Sequence, residues 1–571
     1  MTAKEYLKKL PKKYTPKELE DIRRAFEFAS EIHKDEKRLT GGSYIDHPIA
    51  VSLLAVDLNM DAQTIISSLL HDTYETDKTT LNKIRKHFGQ EVAFLVKGLS
   101  KFKKIKYRGI ERNAESTRKM FMAAAKDIRV IIIKLLDRFD NLGTLHVLPE
   151  IKQRRIAMET LEIYAPIADR LGISSIKSKL EDRAFKYAYP EEYAWIINET
   201  NEKTPRREAY LQKIMPTLSR ELAKENIAPE NINFRAKHYY SLWKKLLRKN
   251  MDWYSIYDLA AARIIVDSTE MCYATLGVIH KLWKPLPGKI KDYIALPKPN
   301  GYQSLHTSVF CVDDKITEFQ IRTKKMHEEA EFGIAAHWAW EMAGKPERAI
   351  GTSPRNIPWI KQLHDWQKKF NKNMNSEEFL KALKIDFFSD RVFVLTPRGD
   401  IIDLPEGATP VDFAYHIHSN LGDTIIGAKV NNKIIPLSSE LYSGDMVEII
   451  RQKNKKPSIK LLDNAKTSVA KNHIKSSLKK QGIFVKAPKQ KQRKTHLKIA
   501  GEDRIGLIND ITSVITSFGI NMESIVQNEP HGKYANVFIC FIPKNKKQVP
   551  LVVTRLKKIK GVEEVDYKIK N

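Results

Sequence analysis

His47, the adjacent pair His71 and Asp72, and Asp137 are side chains of the types that ligate a hard divalent metal. Glu75 follows His71 by four residues in SSLLHDTYE, and Asn141 follows Asp137 by four in LLDRFDNL, so each pair is expected on one helical face. Two helices arranged in this way point polar groups into one pocket. Imidazole and carboxylate together suit an ion such as Mn²⁺, which lowers the pKa of bound water and yields hydroxide for attack on a phosphate ester. A His-Asp dipeptide alone is explained as well by a helix cap or an internal hydrogen bond, so the reading needs the residues together.

A second group lies at 233–340, where Arg235, Lys237, Lys244, Lys245, Lys289, Lys291 and Lys298 gather positive charge. No GxxxxGK[ST] loop is present, so phosphates here must be held by side chains. In ITEFQIRT the strand period puts Glu318, Gln320 and Arg322 on one face and Phe319 and Ile321 on the other. Asp258 stands at the entrance to the run DLAAARIIV, and two carboxylates from separate strands suit Mg²⁺ between phosphates. A generic basic surface accounts for the lysines, but not for their combination with isolated carboxylates and a Gly-Tyr-Gln-Ser turn at Gly301–Ser304.

The strings RLTGGSYIDHP, LLHDTYE, FGQEVAFLVKGLSK, AKDIRVIIIKLLDRFDNL and ETLEIYAPIADRLG occur in the order seen in the RelA/SpoT hydrolase domain. By that resemblance His47, His71, Asp72 and Asp137 are similar to the Mn²⁺ ligands, while Arg38, Glu75 and Asn141 match positions around the substrate and the attacking water. The implied activity is removal of the 3′-pyrophosphate from (p)ppGpp. Thr76 stands where the family has a second carboxylate after Glu75, with Asp77 as a partial substitute, and Asp140 and Asp169 stand where it has histidine. Threonine does not exchange a proton near neutral pH, so loss of an acid/base partner here is expected to weaken hydrolysis by about 10²-fold or more.

NFRAKHYYSLWKK, IYDLAAARIIVD, KPLPGKIKDYIALPKPNGYQSLHTSV, TEFQIRT and AEFGIAAHWAW resemble the RelA/SpoT synthetase domain along its whole length. The resemblance implies transfer of the β,γ-pyrophosphate of ATP to the 3′-hydroxyl of GDP or GTP. In it Asp258 and Glu318 look like the Mg²⁺ and general-base carboxylates, Tyr302 like the guanine-stacking ring and Arg235 like the adenine-stacking guanidinium. Lys237, Lys245, Lys291, His306, Gln320 and Arg322 match further phosphate- and nucleotide-binding positions. Phe234 and Ala236 flank Arg235 where glycine and proline are usual, which changes loop stiffness more than charge. Lys289 to Asp292, KIKD, is similar to the basic form of a motif found in bifunctional members, with Lys289 replacing arginine.

The elements that must position these groups divide a 571-residue chain into several domains, a multidomain α+β protein. Helical periodicity over the first part predicts an all-α domain at 1–195, and β-branched runs with Gly/Pro punctuation predict an α/β domain at 196–345; the resemblance implies that the first is an HD-type hydrolase domain and the second a nucleotidyltransferase-like synthetase domain. A breaker-rich linker at 346–383 precedes a small β-rich module at 384–452 that resembles a TGS domain. A basic helical segment and linker at 453–494 leads to a strand-helix-strand-strand-helix-strand pattern at 495–571, similar to a ferredoxin-like ACT domain. The resemblance implies tRNA or ribosome contact through TGS, where His416 and His418 lie, and amino-acid sensing at ACT. The family's cysteine-bearing module between them is missing: Cys272, Cys311 and Cys540 are widely separated and form neither a disulfide framework nor a zinc finger. A net charge of +29 favours phosphate-rich partners, nucleotides or RNA. No run approaches the ~18 apolar residues of a membrane span and the N-terminus lacks a signal-peptide pattern, so a cytoplasmic protein is expected. Two other readings compete, a synthetase with a degenerate regulatory HD domain and a non-catalytic RNA- or ribosome-binding factor.

Overall fold

The computed structural model describes the chain except for 77, 101–119, 125, 235–237, 250, 254–260, 299, 313–314, 337–381, 383–385, 387–390, 484–493, 521, 529–533, 544–547 and 571. It forms two compact units, residues 1–474 and 475–571. The first begins with helices whose apolar positions recur at three and four residues. Pro16–Ile32 buries Ile22, Ala25, Phe26, Ala29 and Ile32, and a capping box between Thr15 and Glu18 starts it. The helices that carry the candidate ligands are Asp46–Asp57, Ala62–Leu70 and Arg129–Gly143. Asp61 caps the second of these through the Thr64 amide, and its other oxygen accepts from Arg129 Nη1 at 2.6 Å. Arg129, also paired with Glu91 and Asp127, thus ties the start of one ligand-bearing helix to the start of another. Removing one partner of such a buried set is costly because the remaining charge stays buried.

One expectation is corrected here. The helix ends at Leu70 with His71 as its C-cap, and Thr73–Glu75 is a separate 3₁₀ turn, so His71 and Glu75 do not share a helical face. The single helix Pro190–Lys224 runs across the expected domain boundary at 195/196. Its Tyr210, Ile214, Leu218 and Leu222 enter the core of the following domain.

That domain is a mixed six-stranded sheet of β1 (Asn231–Phe234), β2 (Ala261–Val266), β3 (Lys284–Pro285), β4 (Lys291–Asp292), β5 (Leu305–Phe310) and β6 (Ile316–Thr323). The order is β1-β2-β6-β5-β3, with β4 also on β5. β2 and β6 are parallel, with Ala261 opposite Glu318, and the helix Thr269–Leu282 lies between β2 and β3 in the chain. β5 and β6 form an antiparallel hairpin that sets His306 opposite Gln320. Phe319 and Ile321 are fully buried, as their strand face predicts.

Further on, the hairpin of β7 (Arg391–Leu395) and β8 (Ile401–Pro405) and the sheet of β9 (Ile425–Val430), β10 (Lys433–Ile435) and β11 (Val447–Arg451) pack around Phe413 from the helix Pro410–Ile417. The basic segment holds helices Ile459–Asn464 and Ser468–Lys480. In the second unit, β12 (Lys494–Glu502), β13 (Met522–Gln527), β14 (Tyr534–Phe541) and β15 (Val562–Lys570) form an antiparallel sheet of order β13-β14-β12-β15, with helices Leu507–Ser517 and Gln548–Leu556. This is the βαββαβ ferredoxin-like arrangement. No helix among the described residues is long and apolar enough to cross a membrane.

Candidate active sites

His47, on the first turn of its helix, and His71, at the end of the next, place their rings 5.1 Å apart. His47 Nε2 lies 3.2 Å from Asp137 Oδ1 and 3.7 Å from Asp72 Oδ2, and His71 Nε2 lies 3.2 Å from Asp72 Oδ2 and 3.9 Å from Asp137 Oδ1. Ligand atoms of His47, His71 and Asp137 all fall within 4.8 Å of one another. His71 Nδ1 faces the Ser68 carbonyl oxygen at 2.8 Å and so carries the proton. That leaves Nε2 as a bare lone pair, buried without a hydrogen bond and turned toward two carboxylates. A cation between them resolves this arrangement, and the donor set, two imidazoles with hard carboxylate oxygens, fits a divalent first-row ion.

The carboxylates and cations around this cluster also set its charge. Burial opposes charge on His47, but hydrogen bonds to Asp137 and Asp140 outweigh it and raise its pKa to about 9. Burial likewise opposes charge on Asp137, yet Lys134, His47 and His71 hold its carboxyl well below the usual range. Lys134 Nζ bonds Asp137 Oδ2, and Asn141 Nδ2 donates to Asp137 Oδ1 at 2.5 Å. The expected Asp137/Asn141 pairing therefore holds. Tyr44 donates its hydroxyl to Asp72 Oδ2 at 2.7 Å. Beside the cluster opens a cavity of about 710 Å³, and Lys37, Arg38, Lys134, Arg138 and Arg155 make its wall basic, with the neutral Asn141 amide among them. The loop that offers Arg38 is closed by its amide donating to the Gly42 carbonyl at 2.8 Å, with Gly41 at φ 89°.

Glu75 and Thr76 are placed differently from the expectation of one pocket. They line a separate, smaller cleft with Asp72, Tyr44 and Lys78, and Tyr44 borders both spaces. The Thr76 hydroxyl donates to the Thr73 carbonyl at 2.7 Å. Asp140 faces His47 and Arg38, whereas Asp169 is exposed and lies 3.8 Å from Lys177. Asp77 lies outside the described residues.

On the sheet, Tyr302 Oη, His306 and Glu318 form a chain. The hydroxyl lies 2.8 Å from His306 Nε2, and His306 Nδ1 lies 3.1 Å from Glu318 Oε1. Gln320 Nε2 donates to the same oxygen of Glu318 at 3.0 Å, so these two share a face as the strand period predicts. Lys298 Nζ sits over the rings of both Tyr293 and Tyr302, 4.7 and 4.9 Å from their centroids. Asn300 Oδ1 accepts from the Tyr302 amide at 3.2 Å and fixes the turn. Lys291 is exposed on β4, paired in register with His306, and Lys245 is exposed on the helix Tyr239–Arg248. Lys289 is also exposed, and Lys244 lies against the Tyr240 ring.

Arg322 departs from its expected place among phosphate contacts. Only 2% exposed, it is engaged by the helix Lys324–Phe332, bonding His327 Nδ1 at 2.5 Å and Glu331 at 3.3 Å. Arg235, Lys237 and Asp258 lie outside the described residues. His416 and His418 are exposed at the end of the helix Pro410–Ile417. Sequence reasoning missed Tyr44 and Lys134, each three residues before a ligand in YIDH and KLLD, and that spacing was the available signal. It also missed Tyr293, which the fold brings against Tyr302, and two local partners, Asn300 in the turn before Tyr302 and His327 on the helix after Arg322.

Comparison with known proteins follows this division. A family profile of HD domains matches residues 25–174, the region found in RelA / SpoT proteins matches 234–345, a TGS domain matches 392–451 and an ACT domain matches 489–566. The chain is 49% identical over 482 residues to the guanosine-3′,5′-bis(diphosphate) 3′-pyrophosphohydrolase of Aquifex aeolicus, covering 84% of this chain and 68% of that protein. It is 42% identical to the GTP pyrophosphokinase of Myxococcus xanthus, covering 81% and 61% of the two. It is 41% identical to the bifunctional (p)ppGpp synthase/hydrolase SpoT of Escherichia coli K12, covering 83% and 67%. The chain thus spans 61 to 68% of the length of these three relatives.

Proposed function

The chain belongs to the RelA/SpoT family, and from that premise we propose that it both makes and degrades (p)ppGpp, each reaction at one of the two sites described. The observation that carries this reading is the pairing, in one chain, of a buried His47–His71–Asp137 cluster beside a basic cavity with a Tyr302–His306–Glu318 chain on a separate sheet.

For hydrolysis, His47, His71, Asp72 and Asp137 would hold Mn²⁺, which would lower the pKa of bound water and offset phosphate charge. The protein's own part is to bind and aim the substrate. Arg38 and the other cations of the cavity take the phosphates, and Asn141 lies beside Asp137, where it orients the reacting group. A water oxygen bonds to the phosphorus nearest the ribose, the bond from that phosphorus to the 3′-oxygen breaks, and GDP or GTP leaves with pyrophosphate as co-product. Glu75, facing the adjoining cleft with Tyr44 and Asp72, is the proton carrier on that side.

For synthesis, Tyr302 stacks on guanine after displacing Lys298 from its ring, and Arg235 stacks on adenine. Lys237, Lys245 and Lys291 bind phosphate, and Asp258 and Glu318 would hold Mg²⁺, which would offset charge on the phosphates. Glu318 accepts the proton of the 3′-hydroxyl as its oxygen bonds to the β-phosphorus of ATP; the α–β bridge breaks and AMP leaves with the electron pair. His306 and Gln320 hold the Glu318 carboxylate in place. Arg322, on the same strand, is held by His327 and Glu331.

The regulatory reading follows the family. The TGS segment with His416 and His418 and the basic helices contact tRNA or the ribosome, ACT takes an amino acid, and the protein works in the cytoplasm. A second reading, a synthetase whose HD domain only regulates, is favoured by one observation: Thr76 spends its hydroxyl on the Thr73 carbonyl and supplies no carboxylate beside Glu75. Incubating the full chain with ATP and GDP, and separately with ppGpp and Mn²⁺, then resolving nucleotides, separates the two. Product in both reactions is expected. Synthesis without hydrolysis selects the regulatory HD domain, and no product in either refutes the proposal.

A further inference from the structure

We propose that Asp140 is a positioning residue that joins the metal ligand His47 to the substrate arginine Arg38, an inference that rests on the hydrolase reading above. A single oxygen, Asp140 Oδ2, lies 2.7 Å from His47 Nδ1 and accepts from Arg38 Nη2 at 3.1 Å. The helix Arg129–Gly143 therefore grips the His47 ring at both nitrogens. Asp137 meets Nε2 at 3.2 Å, and Asp140, three residues later on the same face, meets Nδ1. A proton held on Nδ1 by a carboxylate leaves the Nε2 lone pair to a metal and fixes the plane of the ring. His47 is buried among these groups, with Tyr44 edge-on at 6.2 Å, so it has little room for another orientation.

Arg38 is held by the same helix. Its Nη2 also donates to Thr144 Oγ1 at 3.2 Å, so residues 137, 140 and 144 make a polar ridge with the metal ligand at one end and the arginine's anchor at the other. Arg38 and Thr144 both line the basic cavity. Asp140 thereby sets two things together, the basicity of His47 toward metal and the place of Arg38 against substrate. Thr144 sets only the second.

Mn²⁺ titration of the full chain, followed by calorimetry and by the signal of free Mn²⁺ in electron paramagnetic resonance, tests this separately from catalysis. Asp140→Ala is expected to weaken Mn²⁺ binding by about 10- to 100-fold, the usual effect of removing a partner of a ligating histidine. Asp140→Asn, which keeps an acceptor oxygen but not the charge, should lose less, and it carries the test if the alanine variant fails to accumulate as folded protein. Thr144→Ala should leave Mn²⁺ affinity unchanged while raising KM for ppGpp. Synthesis from ATP and GDP reports that each variant is folded. Mn²⁺ affinity within twofold of wild type in both Asp140 variants overturns the inference and leaves the hydrolase reading standing. A wild-type chain that binds no Mn²⁺ overturns both, and one that binds Mn²⁺ without hydrolysing ppGpp overturns the hydrolase reading while the Asp140 titration still decides the rest.

Discussion

Glu318 is the proton acceptor of the synthesis proposed above, and its surroundings make a clean test of that role. It takes hydrogen bonds from His306 and Gln320 and is only 14% exposed, so Glu318→Gln preserves volume and most contacts while removing the proton acceptor. Formation of (p)ppGpp should fall by at least about 10²-fold with the melting curve little changed; near-normal synthesis by the folded variant would remove Glu318 from the reaction. Thr76 gives the opposite kind of prediction. Thr76→Asp puts an ionisable group into the cleft with Glu75, Asp72 and Lys78 and should raise the rate of ppGpp hydrolysis above wild type; an unchanged or lower rate assigns the proton transfer elsewhere. The clustering of His47, His71 and Asp137 was legible in the sequence because metal chemistry restricts side-chain type so strongly. Asp140 was visible only as a departure from the family, since its partners, Arg38 and His47, are brought to it from about a hundred positions away by the fold. Arg322 was assigned to the correct strand face, but alternation along a strand does not say which helix will claim the side chain.

At the scale of elements, the expectation that His71 and Glu75 share a helix failed for a local reason. The Thr73 hydroxyl donates to the Leu70 carbonyl and the Thr76 hydroxyl to the Thr73 carbonyl, both at 2.7 Å, and these i−3 bonds accompany the tighter 3₁₀ turn that follows the helix. Residue spacing alone presumes a continuous helix and does not register such hydroxyls. The same sensitivity to one residue appears where the helix Lys324–Phe332 ends. Its C-cap, Gly333, has φ 54° and ψ −131°, and a Cβ there would stand 2.2 Å from the Leu171 carbonyl oxygen and 2.5 Å from the Gly172 carbonyl carbon. Both atoms are backbone, so neither swings aside. Gly333→Ala is expected to destabilise this junction by more than about 1 kcal/mol, adding an unfavourable φ to a steric clash. The check is denaturant unfolding followed by the fluorescence of the full chain. A variant with an unchanged midpoint would mean that the two segments separate without cost.

Over the whole molecule, the hydrolase segment at 169–173 is a meeting point for its neighbours. Asn300, in the turn that carries Tyr302, donates to the Asp169 carbonyl at 3.1 Å, and the Ile334 amide donates to the Leu171 carbonyl at 3.0 Å. Arg170 reaches β8, where Asp403 Oδ2 accepts from it at 2.8 Å while Asp403 Oδ1 accepts from Arg391 at 2.6 Å. All three of these side chains are largely buried. Burial alone would raise the Asp403 carboxyl, but the Arg391 and Arg170 guanidiniums outweigh it and hold its pKa below the usual range. A carboxylate depressed in the folded state stabilises fully above its unfolded pKa, about 3.9, and that contribution is lost as pH falls through the lower folded value. The contact should therefore be insensitive to pH between about 7 and 5 and weaken only below about 4. Asp403→Asn removes the charge at every pH and leaves two buried guanidiniums facing each other, at a cost on the order of 3 kcal/mol. Hydrogen exchange at pH 7 should then quicken in the β7–β8 hairpin and in the helix Ala165–Arg170 together. Faster exchange confined to the hairpin would show that Arg170 contributes nothing to the hold. Exchange at the Ile334 amide reads the next step: if it quickens too, loosening at Asp403 passes through 169–173 into the domain that carries Tyr302, and if it stays slow, the Leu171–Ile334 junction holds on its own.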